Sequence, residues 1–289
     1  MVNKKKIKFK TVTLCCTKQN KDIFSIASQC CEVLSNRGLK VLVDKNLSKL
    51  VSNGAKVSSE GFIKKNSDLL IAIGGDGTML NFARKYGPFE IPILGINLGN
   101  LGFLNDIPPS KVTEEIIDVM EGKFDSDKRF FLDTSILGRK QIFRALNEVV
   151  VHSGEIAQLI EYEVFIDSTF VYRQKADGLI ISSPTGSTGY SLSSGGPIVH
   201  PKVNSLILSP MLPLSLSSSS LVIDAESIVR VILTKDSRSA QLSFDSHSSL
   251  ILKKGTEIQI CKSKSYLELI HPKGNDFFGA CRNKLRWST

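Results

Sequence analysis

The sequence predicts an α/β domain followed by an all-β domain, and three observations carry that prediction. Residues 1–127 alternate strand-like and helix-like apolar patterns, as parallel strands joined by crossover helices require. From residue 128 to residue 275 the texture changes to short β-rich runs broken by Gly, Ser, Asp and Pro. A length of 289 residues with 42% hydrophobic content is ample for two buried cores and argues against disorder.

Taken in order, residues 7–16 are β-rich, residues 23–34 carry apolar side chains at helical spacing, and residues 39–43 and 69–73 read as strands. After Gly77, the side chains of Met79, Phe82, Ala83 and Tyr86 fall at i, i+3, i+4 and i+7, one face of a helix. Residues 91–96 give a further strand and residues 112–120 a further helix. In the second half the strands are 145–151, 162–166, 179–182, 227–234 and 257–261. Residues 276–289 form a third segment, with a closing helix over 277–287 that turns Phe278, Cys281, Leu285 and Trp287 inward. Residues 203–223 are uncharged and long enough to mimic a membrane span, but Asn204, Pro210, Pro213 and several serines make them buried loop and strand. No internal repeat is present, and the serines of 215–220 are a short biased segment.

Six cysteines, at 15, 16, 30, 31, 261 and 281, form no C-x-x-C pair, which excludes a zinc ribbon and a thioredoxin-type motif. A reduced, cytoplasmic setting fits them, and the stretch after Lys10 is too short and polar for a signal peptide. The formal charge is +9. Lys4, Lys5, Lys6, Lys8 and Lys10 read as a solvated terminus, while the overall positive field favours anionic small molecules. No nucleic-acid-binding motif and no membrane segment accompanies it.

Four stretches carry chemistry. The first is Gly74-Gly75-Asp76-Gly77-Thr78, which ends a strand and opens a helix. It lacks the lysine of a P-loop, so phosphate would be held by the backbone N–H groups of Gly74, Gly75 and Gly77 and by the helix N-terminus. Asp76 repels phosphate unless a bound Mg²⁺ bridges the two or a substrate hydroxyl gives the carboxylate its proton. The plainer reading is an Asp-Gly turn capping the helix. The second stretch, residues 95–104, has glycines at 95, 99 and 102 that permit close backbone approach, so it forms a facing wall or packs Leu101, Phe103 and Leu104. The third is Asn147-Glu148, two polar side chains inside an apolar strand. They suit vicinal hydroxyls such as those of a ribose, or mark a bulge. The fourth runs from Asp177 through Pro184-Thr185-Gly186-Ser187-Thr188-Gly189-Tyr190 to Ser193 and Pro197: hydroxyls and amides for base edges and carboxamides, with the flat face of Tyr190 for stacking.

Together these stretches resemble the NAD kinase family over nearly the whole chain. Ser243-Phe244-Asp245 and Leu285-Arg286-Trp287 add to the match, and the 177–201 block separates this family from lipid kinases and phosphofructokinases with related glycine loops. The resemblance implies a Rossmann-like N-terminal domain, a β-rich C-terminal domain, a terminal helix packing back on the first domain, and homodimers or homotetramers. It implies phosphorylation of the adenosine 2′-hydroxyl of NAD by ATP or polyphosphate, with Mg²⁺ or another divalent cation carried mainly by the donor phosphates and no protein ligand assigned to it. Asp76 becomes the base, with Gly74, Gly75, Gly77 and Thr78 at the donor phosphates. Asn147, Glu148, Asp177, Thr185, Thr188, Gly189, Tyr190, Ser193 and Asp245 become NAD contacts. The alternatives are a non-catalytic NAD(P)-binding regulator and a lipid or sugar kinase. The sequence departs from the family in two places: Gly189 replaces a common Ala, a loss of one methyl worth ~1 kcal/mol at most. Leu214 and Ser218-Ser219 stand where His and Arg-Pro are common, removing an imidazole and a guanidinium.

Overall fold

The computed structural model describes residues 9–287 apart from 100, 101, 156, 157 and 216. The expectations for Ile7, the lysines at 4, 5, 6 and 8, Asn100, Leu101 and Leu216 therefore lie outside the described residues. The chain divides into two compact units, one formed by the chain up to Lys128 and again from Tyr266, the other by Arg129–Ser265.

The first unit opens with β1 (Thr11–Cys16), α1 (Lys21–Ser35), β2 (Lys40–Val43), β3 (Lys56–Val57), α2 (Glu60–Asn66), β4 (Leu69–Ile73), α3 (Asp76–Tyr86), β5 (Ile93–Ile96) and α4 (Val112–Met120). Asn20 caps α1 by accepting from the N–H of Ile23, worth about 1 kcal/mol. Ile23, Ile26, Ala27, Cys30, Cys31 and Leu34 bury one face of that helix. Gly38, at φ +73, turns the chain into β2. All five side chains of β4 are buried, as a central parallel strand demands. The expected face of α3 is buried at Met79, Phe82, Ala83 and Tyr86.

The strand β6 (Phe124–Ile136) leads from one unit into the other, and β7 (Ile142–Ala145), β8 (Glu148–His152), β9 (Ile160–Ile166), β10 (Thr169–Ala176) and β11 (Gly178–Ser182) follow. After the short helix α5 (Tyr190–Ser193) come β12 (Ser205–Met211), β13 (Leu221–Asp224), β14 (Val229–Leu233), β15 (Ala240–Phe244) and β16 (Ser248–Leu252). A six-stranded antiparallel sheet runs β13-β12-β11-β8-β15-β16. Its Val149, Val151, Leu179, Ile181, Leu208 and Leu242 share one core with Tyr162, Val164, Val229 and Val231 of β9 and β14. The inward and outward alternation of β9, β14 and β15 is what one buried sheet face produces.

The strand β17 (Glu257–Pro272) and the helix α6 (Phe277–Leu285) complete the chain. Early residues of β17 pair with β14, and Leu269 and Ile270 pair in parallel with Ile93 and Leu94 of β5. Within the first unit the parallel order is thus β17-β5-β4-β1-β2-β3.

Three expectations need correction. The strand expected over 257–261 runs on to Pro272, so the chain rejoins the first unit at Tyr266, well before residue 276. The strand expected over 145–151 is broken: β7 ends at Ala145 and β8 starts at Glu148. In α6 only Cys281 is buried, while Phe278 is 53% and Trp287 46% exposed. A four-residue apolar spacing fixed the helix but not which of its faces is covered.

Candidate functional site

In the first unit β4 delivers Gly74, whose carbonyl accepts from the side-chain amide of Asn105 at 3.0 Å. Gly74 has φ +155, and a Cβ there would lie 2.4 Å from Oγ1 of Thr78. Glycine alone therefore lets the loop close on its own helix. Gly75 is the N-cap of α3, so the first N–H groups of this helix point outward from a positive dipole end.

Asp76 opens that helix with its carboxylate already oriented. Oδ2 accepts from the N–H of Phe103 at 3.1 Å and from Nζ of Lys284 at 2.8 Å, and Oδ1 accepts from the N–H of Leu104 at 3.3 Å. The loop that supplies these N–H groups is fixed by Asn105 and by Asp106, which bonds His271 of β17. A Cβ on Gly102 would come within 2.1 Å of Oδ1, and one on Gly95 within 2.0 Å of Oδ1 of Asn105. Gly95 and Gly102 make the close approaches expected of the second glycine stretch. A Cβ on Gly99 would meet nothing within 4 Å among the described residues.

In the second unit the break before β8 is held by Asp245. Its carboxylate accepts from the N–H groups of Leu146 (3.0 Å), Asn147 (2.7 Å) and Glu148 (3.2 Å). Asp245 is 7% exposed, and its three acceptor bonds fix the backbone that presents Asn147 and Glu148. Oγ of Ser183 donates to the carbonyl of Leu146 at 2.6 Å, and the N–H of Ser183 to that of Asn147 at 2.8 Å. A Cβ on Gly186 would meet that second carbonyl at 2.3 Å. Asn147 and Glu148 converge under Gly189: a Cβ there would lie 3.4 Å from Oε2 of Glu148 and 3.5 Å from Nδ2 of Asn147. Oδ1 of Asn147 is buried with no hydrogen-bond partner among the described residues. Such an orphaned amide oxygen costs about 1–3 kcal/mol unless a ligand donor meets it.

Thr185 is buried and receives Nη1 of Arg129 at 3.3 Å. Tyr190 is 41% exposed and lines a cavity of about 420 Å³ with Val150, His152, Ser243 and His247. Thr188 and Gly189 are half-buried and Ser193 is exposed. Asp177 stands apart. Gly178 pairs with His152 and Ser182 with Glu148, so Asp177 lies at the other end of β11, about 16 Å from Asn147-Glu148 at ~3.3 Å per residue. Lys284, Asn105 and Arg129 are the residues that sequence reasoning missed. Only Asn105 left a signal, as a polar residue directly after Phe103-Leu104.

Family models match both units: the ATP-NAD kinase N-terminal domain over residues 12–124 and the ATP-NAD kinase C-terminal domain over residues 146–272. The chain belongs to the NAD kinase family. The NAD kinase of Shewanella woodyi is 43% identical over 262 residues, 89% of each chain, and that of Saccharophagus degradans 39% identical over 261 residues, again 89% of each. An NAD kinase from Archaeoglobus fulgidus in complex with ATP superposes with a TM-score of 0.72 at 27% identity, covering 96% of this chain and 98% of that one. Yeast NADH kinase complexed with NADH gives 0.88 at 24% identity over 98% and 89%, a likeness of fold. An enzyme of the NAD kinase type accounts for both sites, and neither the inert regulator nor the lipid or sugar kinase finds support among these relatives. No helix among the described residues is long and apolar enough to cross a membrane.

Proposed function

We propose that the chain transfers the γ-phosphoryl group of ATP to the 2′-hydroxyl of the adenosine ribose of NAD, with Asp76 as general base. The observation that carries this reading is the carboxylate of Asp76, fixed by two backbone N–H groups and Lys284 at the mouth of a glycine loop suited to phosphate. Asp76 takes the hydroxyl proton as the ribose oxygen bonds to the γ-phosphorus, the bond from that phosphorus to the β,γ-bridging oxygen breaks, and ADP leaves. Gly74, Gly75, Gly77 and Thr78 hold donor phosphates, and Lys284 offsets the charge that gathers beside Asp76. Asn147 and Glu148 take ribose hydroxyls; Thr185, Thr188, Gly189, Tyr190 and Ser193 line the dinucleotide pocket; Asp245 positions rather than touches. The ATP of the Archaeoglobus relative supports ATP as donor, with polyphosphate as the parallel candidate.

Among the described residues no group of three or more His, Cys, Asp or Glu could hold a metal ion. That composition fits Mg²⁺ carried by the donor phosphates and water, with at most Asp76 nearby. The ion supplies charge neutralisation when bound. Exposed Leu212, Leu214 and Ile251 support a homodimer or homotetramer, and six free cysteines support a cytoplasmic setting.

The test is NADP formation from NAD and Mg·ATP, read with a coupled NADP-specific dehydrogenase, in the wild type and in Asp76→Asn. Turnover abolished by Asp76→Asn, with NAD binding kept within a few-fold, is the expected result. Wild-type turnover in that variant removes Asp76 from the mechanism.

A further inference from the structure

Three consecutive residues anchor the far end of the loop that holds Asp76. Asn105 donates its side-chain amide to the carbonyl of Gly74 at 3.0 Å, Asp106 bonds the ring of His271, and Ile107 bridges Ile96 while its carbonyl accepts from the N–H of Asn97 at 2.9 Å. The first and third anchors are local, since they tie the loop to the ends of β4 and β5 that it follows. The second reaches 165 positions along the chain, to the end of β17.

His271 follows Leu269 and Ile270, which pair with Ile93 and Leu94 of β5, so strand register sets where the imidazole stands. His271 is buried and Asp106 half-buried. An ionised carboxylate only accepts, so Nδ1 carries the hydrogen of their bond. Nε2 is buried with no hydrogen-bond partner among the described residues. Such a nitrogen loses its water without replacement, which makes the imidazole a poor stabiliser and places its worth in what Nδ1 holds.

What Nδ1 holds, by way of Asp106, is the backbone that orients the carboxylate of Asp76. The N–H groups of Leu104 and Phe103, two and three positions before Asp106, are two of the three donors to it. The ring of Phe103 lies 6.4 Å from that of Phe277 at the start of α6, and the third donor, Lys284, comes from the same helix. Every donor that aims Asp76 among the described residues is thus tied to the last part of the chain.

We propose that His271 is a positioning residue for phosphoryl transfer: through Asp106 it fixes the amides of Phe103 and Leu104, and through them the direction of the Asp76 carboxylate. It acts on the loop and not on substrate. The inference rests on the reading of Asp76 as general base, and it adds what keeps that base aimed.

Two measurements on the full chain test it. Hydrogen exchange read by mass spectrometry on a peptide spanning residues 102–107 reports on the two amides and needs no turnover. Steady-state kinetics of NADP formation report on the carboxylate they orient. In His271→Leu, which removes the donor, the peptide should exchange about tenfold faster and kcat should fall by about ten- to a hundredfold, with the KM for NAD and for ATP within about threefold. Asp106→Ala breaks the same bond from its more exposed side and should give the same two losses, and the double variant should lose no more than either alone. His271→Asn sets an amide donor close to the position of Nδ1 and should keep kcat within about threefold of wild type. Unchanged kcat and exchange in both bond-breaking variants, losses that add in the double variant, or an Asn variant as impaired as the Leu one overturns the proposal. Faster exchange in His271→Leu, in a protein whose wild type forms no NADP, supports the anchoring while overturning the activity.

Discussion

For the proposed reaction, one lone-pair direction of Asp76 decides what the glycine loop can do. Oδ2 has two donors and Oδ1 has one, so of the acceptor sites on the two oxygens Oδ1 keeps one for a substrate hydroxyl. Gly102→Ala would set a methyl 2.1 Å from that oxygen and must displace it. The expected result is a fall in kcat of about a hundredfold with little change in melting temperature, since an ångström of misplacement costs that much in rate. Asp245→Asn leaves a neutral amide oxygen facing three backbone N–H groups. It should lower unfolding free energy by about 1–3 kcal/mol in urea titration and raise the KM for NAD through Asn147 and Glu148. Asp76, Asn147 and Glu148 were legible because each is a polar residue in an apolar or glycine-rich setting. The task of Asp245 was not: its partners are backbone groups 97 to 99 positions earlier, and no local pattern records them.

At the scale of elements, β4 and α3 were readable because burial on both strand faces and a 3.6-residue period leave different traces. The break between β7 and β8 left none. Residues 145–151 are apolar enough for one strand, and the kink is imposed by the distant carboxylate of Asp245. The same limit applies to α6, whose period is visible but whose use is to bring Lys284 to Asp76. A solvated lysine near the end of a basic chain looks like any other. Lys284→Met should lower kcat by ~10–100-fold, the range for losing one charged donor at a reacting centre that is partly open to water. The KM for NAD should stay close to wild type, since the contacts of Lys284 are with Asp76 and the ring of Phe103. A variant with unchanged kcat would reduce the contact to packing of Nζ over Phe103, 4.6 Å from the ring centroid.

For the whole molecule, the division into an α/β unit and a β-rich unit was legible from texture alone, whereas the point of return was not, because β17 is one unbroken strand serving both. The charge of +9 acts at this scale as well. It attracts NAD and ATP over distances that salt shortens, with the Debye length falling from ~30 Å at 0.01 M to ~8 Å at 0.15 M. The ratio kcat/KM should therefore drop across that range while kcat holds, measured at constant pH and Mg²⁺. An unchanged ratio would mean that the positive charges lie away from the approach to both sites.

The return of the chain to its first unit also sets an order of events during synthesis. Residues 129–265 are contiguous and are synthesised whole while the first unit still lacks the end of β17 and α6. Lys284 reaches Asp76 only after translation has passed it. A polypeptide released before residue 284 carries every glycine of the loop and the two backbone N–H donors to Asp76, but lacks the third donor, Nζ of Lys284.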